Sequence, residues 1–242
     1  MRKGLLLLLF SACLLFLSFP LSAQDDFAVF QRGAGGSSLL FRGHQAFAYD
    51  LLYNGTYWWT APEFQPGRVA YNSKAYRDVS LNIDAVRQEL VIRTPAGMNG
   101  KVLDSRYVDS CVIGNTKFLN LRTLYGPDAP GGYWQVLYDG KRKFLKQVTK
   151  HLEQDLDGSK RGQTGSSLEY KEKVINVFIY KSFYGCLLET GQFVPVRRKR
   201  QLNQLFKSQK RDIRHYMNRR EAGGSLDLEH YGPELLQFLE SR

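Results

Sequence analysis

The stretch GYWQVLYDGKRKFLKQV, residues 132–148, restricts the fold more than any other part of the chain. Aromatic and apolar residues recur along both of its arms, and Asp139-Gly140 stands between them. Asp-Gly in that setting is a strong hairpin signal, because a type I′ turn needs positive φ at both central residues. The spacing predicts two antiparallel strands meeting at Asp139-Gly140. The same grammar runs from Leu39 to Val196: short runs rich in Tyr, Phe, Val and Ile, parted by Gly, Pro and Asn or Asp. VSLNID alternates, with Val79, Leu81 and Ile83 on one face and Ser80, Asn82 and Asp84 on the other. ELVIR follows over Glu89 to Arg93, and a turn at Gly114-Asn115 separates RYVDSCVI from TKFLNLRTLY. KVINVFIYKSFYGCLLETGQFVPV reads as two or three strands with a turn at Glu189-Thr190-Gly191-Gln192. The expectation is a mainly β chain of α+β type, with an antiparallel body at 39–196 forming a sandwich or a partly open barrel.

Two interruptions divide this body from the rest. Residues 153–169 are polar and rich in Gly and Ser, which predicts a mobile loop inside the domain. From residue 197 the composition turns to Arg, Lys, Gln and Leu with helical spacing: Leu202, Leu205 and Phe206, then Ile213, Tyr216 and Met217. Gly223-Gly224 breaks the pattern, and Pro233 is placed to open a last helix. Residues 197–242 are therefore expected to form two or three short helices packed on the sheet.

The N-terminus carries an address. Arg2 and Lys3 precede an apolar run from Leu5 to Leu17, and Leu21-Ser22-Ala23 supplies a small residue before Gln24-Asp25-Asp26. That is the pattern of a cleaved secretory signal peptide over 1–23, followed by a flexible linker at 24–38. No later run reaches the ~18 to 20 apolar residues that a membrane-spanning helix needs. The whole chain has a formal charge of +11, and the leader removes only two cations, so the exported part stays strongly basic. Expected partners are an envelope protein, anionic lipid or acidic glycan, and not nucleic acid. The densest cationic stretch comprises Arg197, Arg198, Lys199 and Arg200, with Lys207, Lys210, Arg211 and Arg214 behind it. It is a candidate for attachment to an anionic surface, where each cation contributes about 1 kcal/mol; a plain solvated helix face is the competing explanation.

Motifs of catalysis are scarce. His44, His151, His215 and His230 are dispersed, and neither metal-ligand spacings nor a nucleophile elbow, P-loop or dinucleotide fingerprint occurs. No cofactor or metal is expected. Asp78, Asp84, Glu89, Asp104 and Asp109 lie in or beside strands, where paired carboxylates could do acid–base work, but solvent-face carboxylates are as common. Cys111 and Cys186 are candidates either for a disulfide, which an oxidising compartment permits, or for two separate buried thiols.

The aromatic run AYDLLYNGTYWWTAPEFQPGRVAYN, residues 48–72, is the remaining candidate site. Asn54-Gly55 predicts a two-residue hairpin pairing Tyr53 with Thr56, Leu52 with Tyr57 and Leu51 with Trp58. Alternation then sends Trp58 and Trp59 to opposite faces, so they cannot share one flat platform. Trp58 is assigned to the core; Trp59 and Tyr57 are kept as candidate ligand contacts.

The chain also resembles a group of exported Bacteroidetes proteins with no defined activity. The resemblance rests on SAQDD, on LLYNGTYWW followed by GRVAYNSKAYRDVSLNIDAVRQELVIR, on GGYWQVLYDGKRKFLKQVTKHL and on RQLNQLFKSQKRDIRHYM. It implies a periplasmic or outer-membrane-associated location and carries no functional residues. The expected function is non-enzymatic: binding an envelope protein or lipid, partly through the basic tail. The alternative is a carbohydrate-binding or glycan-processing module using the strand aromatics.

Overall fold

A computed structural model describes residues 39–49, 53–94, 100–154, 176–220 and 227–241, within one unit, Leu39–Arg242. The expected leader and linker, the expected loop from residue 155 on, Leu51, Leu52 and Gly223-Gly224 lie outside the described residues.

The chain is mainly β. Its strands are β1 (Tyr53–Asn54), β2 (Gln65–Tyr71), β3 (Lys74–Asp84), β4 (Glu89–Arg93), β5 (Gly100–Val102), β6 (Val108–Ile113), β7 (Thr116–Asn120), β8 (Tyr133–Asp139), β9 (Lys143–Gln154), β10 (Asn176–Leu187) and β11 (Phe193–Val196). They form one 11-stranded sheet in the order β1-β10-β9-β8-β7-β6-β2-β3-β4-β5, with β11 added to β10. β1 and β5 end the order without pairing, so the sheet is not a closed barrel. Among the described residues all pairings are antiparallel except β1 with β10, which is parallel. A short helix, α1 (Leu121–Tyr125), follows β7, and three helices close the chain: α2 (Lys199–Leu205), α3 (Lys210–Arg220) and α4 (Leu228–Glu240).

The turn chemistry operates largely as expected. Gly114-Asn115 joins β6 to β7 with Gly114 at φ 57°, and Gly191 takes φ 82° in the turn before β11. The β8–β9 hairpin also forms, but its loop is three residues long, because Asp139 pairs with Lys143. The turn is held from outside: Glu240 at the end of α4 accepts hydrogen bonds from the Lys141 and Arg142 amides at 3.0 and 2.9 Å. A long-range carboxylate replaces the expected I′ geometry. The β9 strand extends through Gln154, so Glu153 and Gln154 belong to strand and not to loop.

The polar side of VSLNID is buried as well. Asn82 and Asp84 are nearly inaccessible, because the segment before β2 folds over them. The Asn82 amide donates to the Ala61 and Glu63 carbonyls at 2.9 and 3.0 Å. Asp84 accepts from the Val86 and Arg87 amides and so caps the β3–β4 turn. Burial raises the Asp84 carboxyl above its usual range, against the lowering effect of those two amides. Two-residue periodicity identifies the core-facing set, but it cannot tell whether a second layer covers the other face.

The C-terminal helices bury their apolar side on the sheet. Leu202, Phe206, Ile213, Tyr216, Leu235, Leu236 and Leu239 join Phe144 and Cys186 in one cluster. Met217, read as part of the apolar stripe, is exposed. The last helix begins five residues before Pro233, at Leu228, where the Asp227 side chain accepts from the His230 amide at 3.1 Å. An Asp N-cap starts the helix, and Pro233 lies inside it.

Candidate functional site

The Asn54-Gly55 hairpin does not form. Gly55 has φ 86°, but Asn54 is not among the residues with positive φ, whereas a type I′ turn needs both. The Asn54 side chain is buried and accepts from the Gly55 amide at 2.8 Å. Tyr53 and Asn54 instead pair with Asn176 and Val177, and residues 57–59 run beside the end of β3. There the Trp59 amide donates to the Ile83 carbonyl at 2.8 Å, and the Ala85 amide donates to the Tyr57 carbonyl at 2.9 Å.

This arch places the aromatic residues. Trp58 is buried with Val91 and Val102 and packs against Phe64. Trp59 meets Phe118 edge-on at 4.7 Å. Tyr57 packs against Tyr49, Tyr53 and Phe178. The two indoles serve different clusters, as alternation required, and Tyr57 and Trp59 do not come together as one surface.

Sequence reading missed Lys150, which lies beneath the arch. It is only 8% exposed, and its ammonium donates to the Trp58 and Thr56 carbonyls at 2.6 and 2.8 Å. Its backbone amide donates to the Ala85 carbonyl at 2.9 Å. Burial pushes the amine down to about 8. A lysine in an otherwise alternating strand carries no sign that a distant loop will cover it.

A concavity lies elsewhere. A cleft of about 930 Å³ opens beside β10 and β11. Its lining includes Trp134 and Phe193, which meet at 4.7 Å between ring centroids. Phe193 lies across Gly185, where an added Cβ would come within 2.1 Å of the ring. Gln147 is tied to the Gly131 carbonyl at 2.8 Å and to Gln88 at 3.0 Å. Asp128 and Arg197, the first cation of the basic tract, both line the cleft. Sequence patterning could not find this site, because its residues come from five separated segments.

The basic tract continues from the cleft onto the helices. Arg197, Arg198, Arg200, Lys207, Lys210, Arg211 and Arg214 are exposed, and none makes an ion pair among the described residues. Lys199 differs: it is half-buried over the Tyr231 ring at 5.4 Å. Lys210, Arg211, Arg214 and His215 border a shallow groove of about 360 Å³ on α3. The Gln201 side chain accepts from the Arg197 and Arg198 amides at 2.7 and 3.2 Å, which fixes the start of α2.

Other candidates resolve into structural roles. Cys111 on β6 and Cys186 on β10 are free, buried thiols with three strands between them, so they form no disulfide. Burial pushes the Cys186 thiol up to about 12 and the Cys111 thiol higher still, which removes the thiolate that nucleophilic chemistry needs. Glu89 pairs with Arg87 and Asp104 with Arg106. His151 contacts Glu153, and His230 contacts Asp227. Among the described residues, no group of His, Cys, Asp or Glu could hold a metal ion, and no helix is long and apolar enough to cross a membrane.

No protein-family model, curated protein or solved structure matches this chain.

Proposed function

We propose that this is an exported cell-envelope protein that acts by binding, without catalysing a reaction, and that its basic C-terminal segment contacts an anionic protein or lipid surface. One observation carries the reading. The helices spend their apolar side on the sheet, while seven cations of the same segment face outward without carboxylate partners among the described residues. A charge pattern that only solubilised the helices would be expected to interleave both signs. The leader supports the location, since it directs the chain to a compartment lined by anionic lipid. The carbohydrate alternative has less support, because Tyr57 and Trp59 pack into separate aromatic clusters.

Vesicle sedimentation tests the reading. Vesicles of phosphatidylcholine with phosphatidylglycerol, and washed envelope fractions, should both retain the protein at low salt and release it near 1 M, where the Debye length is about 3 Å. Neutralising Lys207, Lys210, Arg211 and Arg214 together should weaken association by roughly a hundredfold or more, at about 1 kcal/mol per cation. These side chains are exposed, so the fold should survive their replacement. Unchanged association in the fourfold variant would rule out the electrostatic reading.

A further inference from the structure

We propose that the edge of β10 left unpaired among the described residues is a strand-addition site that receives an extended, acidic peptide segment of a partner protein. The inference rests on the binding role argued above and names the form of the partner.

β10 pairs with β9 over its whole length, from Asn176 to Leu187. On its other side β1 covers only Asn176 and Val177, and β11 covers only Tyr184 to Leu187. Residues 178–183 are left without a strand partner on that side among the described residues. At about 3.3 Å per residue the gap is roughly 20 Å long.

The direction of the unpaired groups follows from the turn before β11. The Leu188 amide donates to the Gln192 carbonyl at 2.9 Å and its carbonyl accepts from the Gly191 amide at 2.9 Å, so both backbone groups of Leu188 turn toward the β11 side. Backbone groups alternate sides along an antiparallel strand. Cys186 and Tyr184 therefore also face β11, while Leu187, Gly185 and Phe183 face β9. Pro195 fits this parity, because it pairs with Gly185 at a position where no donor is needed. Carrying the alternation onward turns the N–H and C=O of Ser182 and Tyr180 to the open edge. No hydrogen bond to a described residue occupies them there. Phe178 is buried under Tyr49, Tyr53 and Tyr57, but Tyr180, Lys181 and Phe183 are exposed.

The cleft lies where an added strand would run. It is lined from both sides of the sheet: Phe183 and Phe193 on one, Ser182, Tyr184 and Leu228 on the other. A cavity that wraps a free edge is filled by a strand whose alternate side chains pack on either side. A flat ligand on one face would leave half of it empty. Charge sets the chemistry of the occupant. Lys181 on the open stretch and Arg197 in the cleft lining, both exposed and without ion pairs among the described residues, outnumber Asp128, the acidic residue of the lining, and the chain is strongly basic. Four ladder hydrogen bonds hold the backbone, and acidic side chains meet the two cations.

The probe is a capped heptapeptide of alternating glutamate and valine, titrated into the full chain and followed by backbone amide exchange. The expected result is saturable binding with exchange at Tyr180 and Ser182 slowed at least tenfold. A peptide N-methylated at alternate amides should lose the protection, and one with lysine in place of glutamate should bind at least tenfold more weakly. Ser182→Pro removes one outward donor and leaves the β9-facing amides in place, so it should reduce binding equally. The N-methylated peptide keeps the test decisive if that variant does not fold. Equal binding by the N-methylated peptide, or unchanged exchange at both amides, overturns the proposal. Protection that rises with protein concentration without peptide overturns it in favour of self-pairing. Protection by a neutral oligosaccharide and not by the peptide overturns it in favour of a glycan. Peptide failure with salt-sensitive envelope association intact overturns the strand site alone; failure of both overturns the binding role.

Discussion

Phe144→Ala is expected to lower stability by about 3–5 kcal/mol, the usual cost of truncating a fully buried phenylalanine. The ring is wholly inaccessible, stacks with Tyr184 at 6.0 Å between centroids, and joins the sheet to the C-terminal helices. Its fit is tightest against α4. An added Cβ at Gly232 would come within 2.3 Å of the ring, so glycine is what lets the helix approach the strand. Gly232→Ala alone should cost about 1–3 kcal/mol through overpacking. In the double variant the new methyl enters space the ring has left, so the two losses should add to less than their sum. Urea denaturation of the four proteins measures all three quantities. Strict additivity, or a loss below about 1 kcal/mol for Phe144→Ala, would show that this contact does not hold the helices.

Stability should rise with pH above 8 because of Lys150. In the unfolded chain this amine keeps its proton to about 10.5; in the folded chain burial lowers it to about 8. Between those values the unfolded state binds more protons, so raising the pH favours the folded state. A displacement of this size corresponds to a gain on the order of 3 kcal/mol across the window. The neutral amine still carries two N–H groups for the Thr56 and Trp58 carbonyls, so the arch keeps its anchor. Tyrosines oppose the trend near their own titration, because burial raises Tyr57 to about 12 and Tyr184 to about 12. The measurement is therefore the difference between wild type and Lys150→Met from pH 7 to 9.5, in which the tyrosine contributions cancel. A flat difference would mean that Lys150 is hydrated in solution.

Several parts of the fold were legible for local reasons. Gly114 and Gly191 occupy left-handed positions that glycine adopts without a Cβ penalty, and both turns form as expected. Leu202, Phe206, Ile213 and Tyr216 recur at helical spacing and are buried as a stripe. The Asn54-Gly55 turn failed because the same dipeptide serves other geometries, and β1 found its partner more than a hundred residues away in β10. The disulfide candidate fails for the same kind of reason. Two cysteines in apolar strands look equivalent in sequence, and strand order separates Cys111 from Cys186.

The candidate site was the less legible part. The basic tract was visible as composition, and the structure divides it into exposed cations and Lys199, which lies over Tyr231. The cleft and the β10 edge left no pattern, since Tyr180, Ser182 and Phe183 read as any half-exposed strand.

Taken alone, the sequence determines the strand and helix segments, most of the turns, the leader pattern and the excess of positive charge. Each depends on residues within a few positions of one another, where side-chain period and backbone preference act directly. Tertiary structure alone decides that the polar face of β3 is covered, that Lys150 lies under residues 56–58, and that β10, among the described residues, is paired on its outer side only at its two ends. Those outcomes depend on which distant segments compete for the same backbone donors and the same apolar surface, and no local period encodes that competition.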